Sequence, residues 1–93
     1  QVNIGNESQK SGIHIQKLTE FYNYCKELEL NIIGLMCIPP IDDDPEISFS
    51  RMNYLKKKMN LEELSMGMSA DYLIAINFNS SYLRIGSEIF GQR

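Results

Sequence analysis

Two segments of this chain combine small residues and hydroxyls in an order that could hold a phosphate. They are Leu64-Ser65-Met66-Gly67-Met68-Ser69-Ala70-Asp71 and, about a dozen residues on, Leu83-Arg84-Ile85-Gly86-Ser87. Each passes from an apolar stretch into small residues and then into the start of a helix. Backbone N–H groups at a helix N-terminus lack intrahelical acceptors, and the helix dipole favours an anion there. Gly67 and Gly86 would let the main chain approach that anion closely. The hydroxyls of Ser65, Ser69 and Ser87 and the N–H groups near Met66 and Ser87 are the candidate donors. Taken singly, Gly67 reads as a turn residue and Ser69 as a helix cap; the spacing of the two segments argues for one shared site.

Arg84 adds a second kind of chemistry. Side chains alternate along a strand, so Tyr82, Arg84 and Gly86 share one face while Leu83 and Ile85 share the other. Gly86 should border the mouth of the fold, which directs the guanidinium inward. An enclosed charge needs a partner, either a carboxylate or a ligand atom. Guanidinium keeps its proton at any ordinary pH, so beside a pyridine nitrogen it would hold that nitrogen unprotonated. Such a pairing would weaken a pyridine-based cofactor as an electron sink.

The elements that must position these residues follow a strand-helix alternation repeated four times. Gln1 to Ile4 is the first expected strand, followed by a polar loop from Gly5 to Gly12. A helix is expected from about Ile13 to Leu28, because Ile15, Leu18, Phe21, Tyr22, Cys25 and Leu28 recur at spacings of three and four. Asn31 to Ile38 is a nearly continuous apolar run, as in a parallel strand covered on both faces, and Pro39-Pro40 ends it. Asp44 as N-cap and Pro45 at the first position open a second helix with the stripe Phe49, Met52, Leu55 and Met59. A third strand spans about Glu63 to Ser65. Ser69 then caps a helix from Ala70 to about Phe78, with Asp71 in its first turn. Tyr82 to Ile85 is the fourth strand, and Ser87 to Phe90 starts a last helical turn.

The expected fold class is therefore α/β, with parallel strands in four βα units over 93 residues. A complete barrel of eight such units takes about 250 residues. Residues 1–93 thus read as one fragment, the C-terminal half of a TIM-like (β/α)8 barrel. Four parallel strands with helices on one side would leave an apolar sheet face bare, so an N-terminal half of the same barrel is the expected partner. The opening residues Gln1-Val2-Asn3-Ile4, with no methionine, read as the interior of something longer.

Composition narrows the partners. A hydrophobic content of 43% with 23% charged residues is that of a soluble globular domain, and a net charge of −3 argues against a nucleic-acid footprint. Lys56-Lys57-Lys58 reads as the solvated last turn of a helix. No apolar run approaches the about 20 residues needed to span a bilayer, and no signal peptide is visible. Cys25 and Cys37 sit in apolar patterns without Cys-x-x-Cys spacing and read as reduced, buried thiols rather than metal ligands. The expected location is cytoplasmic, a mitochondrial one also being compatible. His14, the only histidine, opens a helix and reads as a surface residue.

At this point the chain resembles the pyridoxal phosphate homeostasis proteins, formerly described as proline synthetase co-transcribed homologues, whose fold is like the barrel domain of alanine racemase. The resemblance rests on Gln1-Val2-Asn3-Ile4, Lys10-Ser11-Gly12, Gly34-Leu35-Met36, Ile38-Pro39 and Ala75-Ile76. Its most specific strings are Ser65-Met66-Gly67-Met68-Ser69 and Arg84-Ile85-Gly86, followed by Ile89-Phe90-Gly91 and Arg93. Members of that family commonly carry Thr or Ser after Arg-Ile-Gly, and this chain has Ser87. The resemblance implies that Ser65, Met66, Gly86 and Ser87 surround the phosphate of pyridoxal 5'-phosphate, with Arg84 near the ring nitrogen; Gly67, where the main chain could approach the anion, is the sixth expected cofactor-binding residue. It also implies intracellular homeostasis of that cofactor, carrying or buffering it without catalysis. The Schiff-base lysine of the family lies on an early strand with no counterpart here, and Lys10, Lys17, Lys26, Lys56, Lys57 and Lys58 are not at strand ends. Asn79-Ser80-Ser81 replaces the family's Gly-Ser-Thr, which reads as an unimportant turn change.

Two other functions remain open on the residues. A pyridoxal phosphate-dependent amino-acid racemase would share the barrel, with Tyr82 as the nearest tyrosine but no visible base beside it. A barrel binding some other phosphate monoester would use the same loops.

Overall fold

Asp44 and Pro45 begin a helix as their types require: the Asp44 carboxylate accepts the Glu46 N–H at 3.0 Å, and Pro45 occupies the first position, where its missing N–H costs nothing. That helix is one of four in the computed structural model, which describes residues 1–91 apart from the side chain of Glu88. Arg93, the end of the Arg-Ile-Gly string, lies outside the described residues. The order is β1 Val2–Asn3, β2 Ile13–His14, α1 Ile15–Glu27, β3 Gly34–Met36, α2 Pro45–Lys58, β4 Glu63–Met68, α3 Tyr72–Asn77, β5 Tyr82–Arg84 and α4 Ser87–Phe90. All strand pairings are parallel, giving the α/β architecture of part of a barrel.

β3, β4 and β5 form one sheet in chain order, while β1 and β2 form a separate pair. The expected single run of four strands is corrected here. Ile13 and His14, expected as the first turn of a helix, instead pair with Val2 and Asn3, and the Ile13 N–H donates to the Gln1 carbonyl at 2.9 Å. Buried Asn3 makes this return possible. Its side-chain amide donates to the carbonyl of Glu7 at 2.7 Å and its side-chain oxygen accepts the Glu7 N–H at 3.0 Å, folding the loop back on the strand. His14 is exposed and its Nδ1 lies against the side-chain oxygen of Asn6.

Three helices end alike. After α1, α2 and α3 the first residue beyond the cap is Glu29, Asn60 or Asn79, each with positive φ, of 62°, 57° and 69°. The next N–H reaches back to the helix: Leu30 to the Cys25 carbonyl, Leu61 to that of Lys56, Ser80 to that of Ala75. This is the Schellman arrangement, which satisfies carbonyls that the helix end would leave bare. It turns the chain toward the next strand at each exit.

The core lies between the sheet and the helices. Phe49 and Met52 of α2 and Leu64 and Met66 of β4 are fully buried, with Val2 and Cys37. Each such side chain contributes roughly 1.5–3 kcal/mol by leaving water. Cys25 and Cys37 are buried free thiols. Among the described residues no helix is long and apolar enough to cross a membrane.

Ser80 and Ser81 correct the expectation of an unimportant turn. The Ser81 N–H donates to the Leu64 carbonyl at 2.8 Å and the Ser81 hydroxyl accepts the Leu64 N–H at 3.1 Å. The Ser80 hydroxyl donates to the Met66 carbonyl at 2.6 Å and accepts the Met66 N–H at 3.3 Å. These bonds dock the start of β5 on β4.

Candidate functional site

β4 runs on to Met68, beyond the expected end at Ser65, because a bulge carries it past its neighbour. Ser65 pairs with Tyr82 and Met68 with Arg84, so three steps on β4 match two on β5. Gly67 sits inside that bulge with φ +105°, and a Cβ there would meet Ala75, Leu83 and Tyr72. Its lack of a side chain therefore serves the seating of α3 on β4.

The bulge also changes the role of Ser69. The helix starts at Tyr72 with Asp71 as its N-cap residue, and Asp71 uses a carboxylate oxygen to accept the Met68 N–H at 2.8 Å. Ser69, expected to cap that helix, reaches across to the chain after β5, where its hydroxyl oxygen accepts the N–H of Gly86, the N-cap residue of α4, at 3.2 Å. The two phosphate-like segments are thereby in direct contact.

Between them and the chain after β3 lies a cleft of about 530 Å³ at the carboxyl ends of the parallel strands. Ligand pockets run from about 300 to 1,000 Å³, and this end of a barrel is where they form. One wall is Ile38, Pro39, Pro40 and Ile41; the other is Met68 to Asp71 with Arg84, Gly86 and Ser87. Asp43 and Pro45 complete the rim.

Of the six residues expected at the site, Arg84, Gly86 and Ser87 line this cleft. Ser65 touches it only through Arg84 and itself lines a hollow at the starts of β3, β4 and β5. Met66 and Gly67 are buried. The Met66 N–H, expected as a donor to an anion, is taken by Ser80, because the β4–β5 junction needs it. The cleft wall from Ile38 to Ile41 and Asp71 were not expected as site residues. Pro39-Pro40 carried the available signal, since a strand stop in a parallel barrel necessarily lies at its mouth.

Arg84 points inward as alternation requires, but its partners are neutral. Nη1–H donates to the Ser65 hydroxyl oxygen at 3.1 Å and Nη2–H to the Cys37 carbonyl at 3.0 Å. Among the described residues the Nε of Arg84 is buried without a partner. Gly86 is the converse of Gly67: a Cβ built there would meet nothing within 4 Å. Burial pushes the Cys37 thiol up to about 12, against the opposing pull of the Arg84 charge and with a smaller upward push from Asp71. None of the six lysines lines the cleft.

The whole chain, residues 1–93, matches the family model described as alanine racemase, N-terminal domain. It is 36% identical over 103 residues to the pyridoxal phosphate homeostasis protein of Aquifex aeolicus, covering 100% of this chain and 45% of that protein. It is 41% identical over 98 residues to the protein of the same name from Helicobacter pylori, covering 97% and 43%. The counterpart in Escherichia coli K12 is 36% identical over 106 residues, covering 100% and 44%. The chain thus spans less than half the length of these relatives. Among solved structures it is similar to PipY of Synechococcus elongatus PCC7942 without PLP, with a TM-score of 0.72 at 26% identity, over 91% of this chain and 45% of that one. PipY with PLP bound shares the fold, with a TM-score of 0.70 at 23% identity over 92% and 46%.

Proposed function

Because this chain belongs to the alanine racemase N-terminal domain family, we propose that it forms the C-terminal half of a barrel that binds pyridoxal 5'-phosphate, and that the protein carries or buffers that cofactor within the cell without catalysis. Relatives matched along the whole chain and named for pyridoxal phosphate homeostasis support this reading. One observation carries it: Arg84 and Gly86 meet in a single cleft, the first a guanidinium held by two neutral acceptors and the second with open space before its Cα. An aromatic nitrogen suits the former, and a phosphate brought close to the main chain suits the latter.

When bound, the cofactor supplies a reactive aldehyde on a ring able to accept electrons. Arg84, protonated at every ordinary pH, would hold the ring nitrogen and keep it unprotonated. That lowers the electron demand of the ring, which favours storage over turnover. Ser69, Gly86 and Ser87 receive the phosphate, with the Ser87 N–H at the start of α4 as a main-chain donor. Met66 and Gly67 keep the loop in register beneath them. Apolar Ile38 to Ile41 close the opposite side and exclude water. The complementary half would cover the hollow lined by Ile33, Ser65 and Tyr82.

The full-length protein, purified without added vitamin, should retain about one equivalent of pyridoxal phosphate, measured by absorbance and by release in alkali. Arg84→Ala should lower that affinity about tenfold, the loss of one charge-assisted hydrogen bond. Retention of sugar phosphates in preference to pyridoxal phosphate, or racemisation of free amino acids in a chiral assay, would defeat the proposal.

A further inference from the structure

The Arg84 guanidinium joins three strands. It extends from β5, donates to Ser65 on β4, and donates to the carbonyl of Cys37, the residue after β3. A long side chain has much rotamer freedom to lose when it is held in one place. Two acceptors at fixed positions on a sheet, bonded to two different nitrogens of a planar fork, leave it one orientation.

Both acceptors are neutral, and that has a chemical consequence. A carboxylate would orient the guanidinium equally well but cancel its charge. Asp71 shares the cleft, yet its carboxylate is engaged by the Met68 N–H, and among the described residues no ion pair is formed by Arg84. A hydroxyl and a carbonyl therefore hold the arginine while leaving its charge uncancelled, and its Nε–H is enclosed by the protein. Ser65 lines the hollow at the strand starts and not the cleft, whereas Ser69 lines the cleft and bonds Gly86.

We propose that Ser65 is a positioning residue: its hydroxyl oxygen, with the Cys37 carbonyl, fixes the charged Arg84 side chain before any ligand arrives, and it acts on the bound ring through Arg84, not on the phosphate. This rests on the pyridoxal phosphate reading above and gives Ser65 a different task from the phosphate role implied by family resemblance.

The test compares Ser65→Ala and Ser65→Thr in the full-length protein by two measurements. The first needs no ligand: hydrogen exchange of the Arg84 Nε–H, assigned through its loss in Arg84→Lys, is followed by 15N NMR. Exchange should be slow in the parent, about tenfold faster in Ser65→Ala, and slow again in Ser65→Thr, since threonine restores the acceptor. The second measures affinity for pyridoxal phosphate and for its analogue with CH in place of the ring nitrogen. Ser65→Ala should weaken the first about tenfold and the second by less than about twofold. Equal weakening of both ligands, or exchange unchanged in Ser65→Ala, overturns the proposal. Should the parent bind neither ligand, the cofactor reading fails while the exchange measurement alone decides the role of Ser65.

Discussion

Gly67 and Ala75 pack so closely that a Cβ on the glycine would lie 2.8 Å from the alanine methyl. The contact is how α3 lies flat on β4, and the positive φ of Gly67 adds a second reason for glycine. Gly67→Ala should therefore lower unfolding stability by about 3 kcal/mol, combining backbone strain and overpacking. Adding Ala75→Gly should relieve only the part of the steric share due to that methyl, since Leu83 and Tyr72 also crowd the site, and should itself cost about 1 kcal/mol in the helix. Urea unfolding of Gly67→Ala, Ala75→Gly and the double variant, beside the parent, separates these shares.

Gly86→Ala should behave in the opposite way. Its φ of −115° is open to any residue, and no atom stands within 4 Å of the new methyl. Stability should stay within about 0.5 kcal/mol of the parent. Pyridoxal phosphate affinity should fall, because the methyl projects where the phosphate would approach. A drop in stability with binding intact would show that the open space serves the fold.

Cys37 predicts a pH dependence of definite sign. Its thiol is raised from 9.0 to about 12, chiefly by burial. In the unfolded chain the thiol loses its proton near pH 9, while in the folded chain it keeps it until about pH 12. The contribution is fully present below pH 9 and is lost as the pH rises through that window. The parent should lose stability between pH 9 and 11 more steeply than Cys37→Ala, although the variant starts lower because of the cavity it leaves. Other titrating groups cancel in the difference between the two urea series.

Glu29 occupies the left-handed position after α1 that glycine usually fills where a helix ends in this way. Glu29→Gly should raise stability by up to about 1 kcal/mol, the strain removed less the entropy glycine adds to the unfolded chain. Asn60→Gly and Asn79→Gly should gain less, because asparagine tolerates this conformation. Thermal unfolding of the three single variants ranks them.

Long-range order in this chain was legible where residue type alone dictates geometry. The stripe Phe49, Met52 and Leu55, with Asp44-Pro45 before it, located α2 to within a residue. Alternation along Tyr82–Arg84 put the guanidinium inside. What escaped the sequence depends on partners far along the chain. Ile13–His14 is too short to carry a period, and it becomes a strand only because Asn3 folds the loop back on it. Ser69 changes from cap to cross-strand acceptor because the bulge at Gly67 moves it toward Gly86. The Met66 N–H is claimed by Ser80, 14 residues away, through a contact that no local pattern encodes.

The cleft has unequal walls. Pro39 and Pro40 supply no N–H and hold fixed φ angles, so that side is stiff and main-chain donors are missing at two consecutive positions. Arginine, hydroxyls and glycine main chain are all on the facing side. A flat molecule with one polar edge satisfies both walls only when that edge meets the arginine and the hydroxyls. The cleft thus sets which edge of a ring points inward, and the direction of docking is written into the proline pair as much as into the polar side.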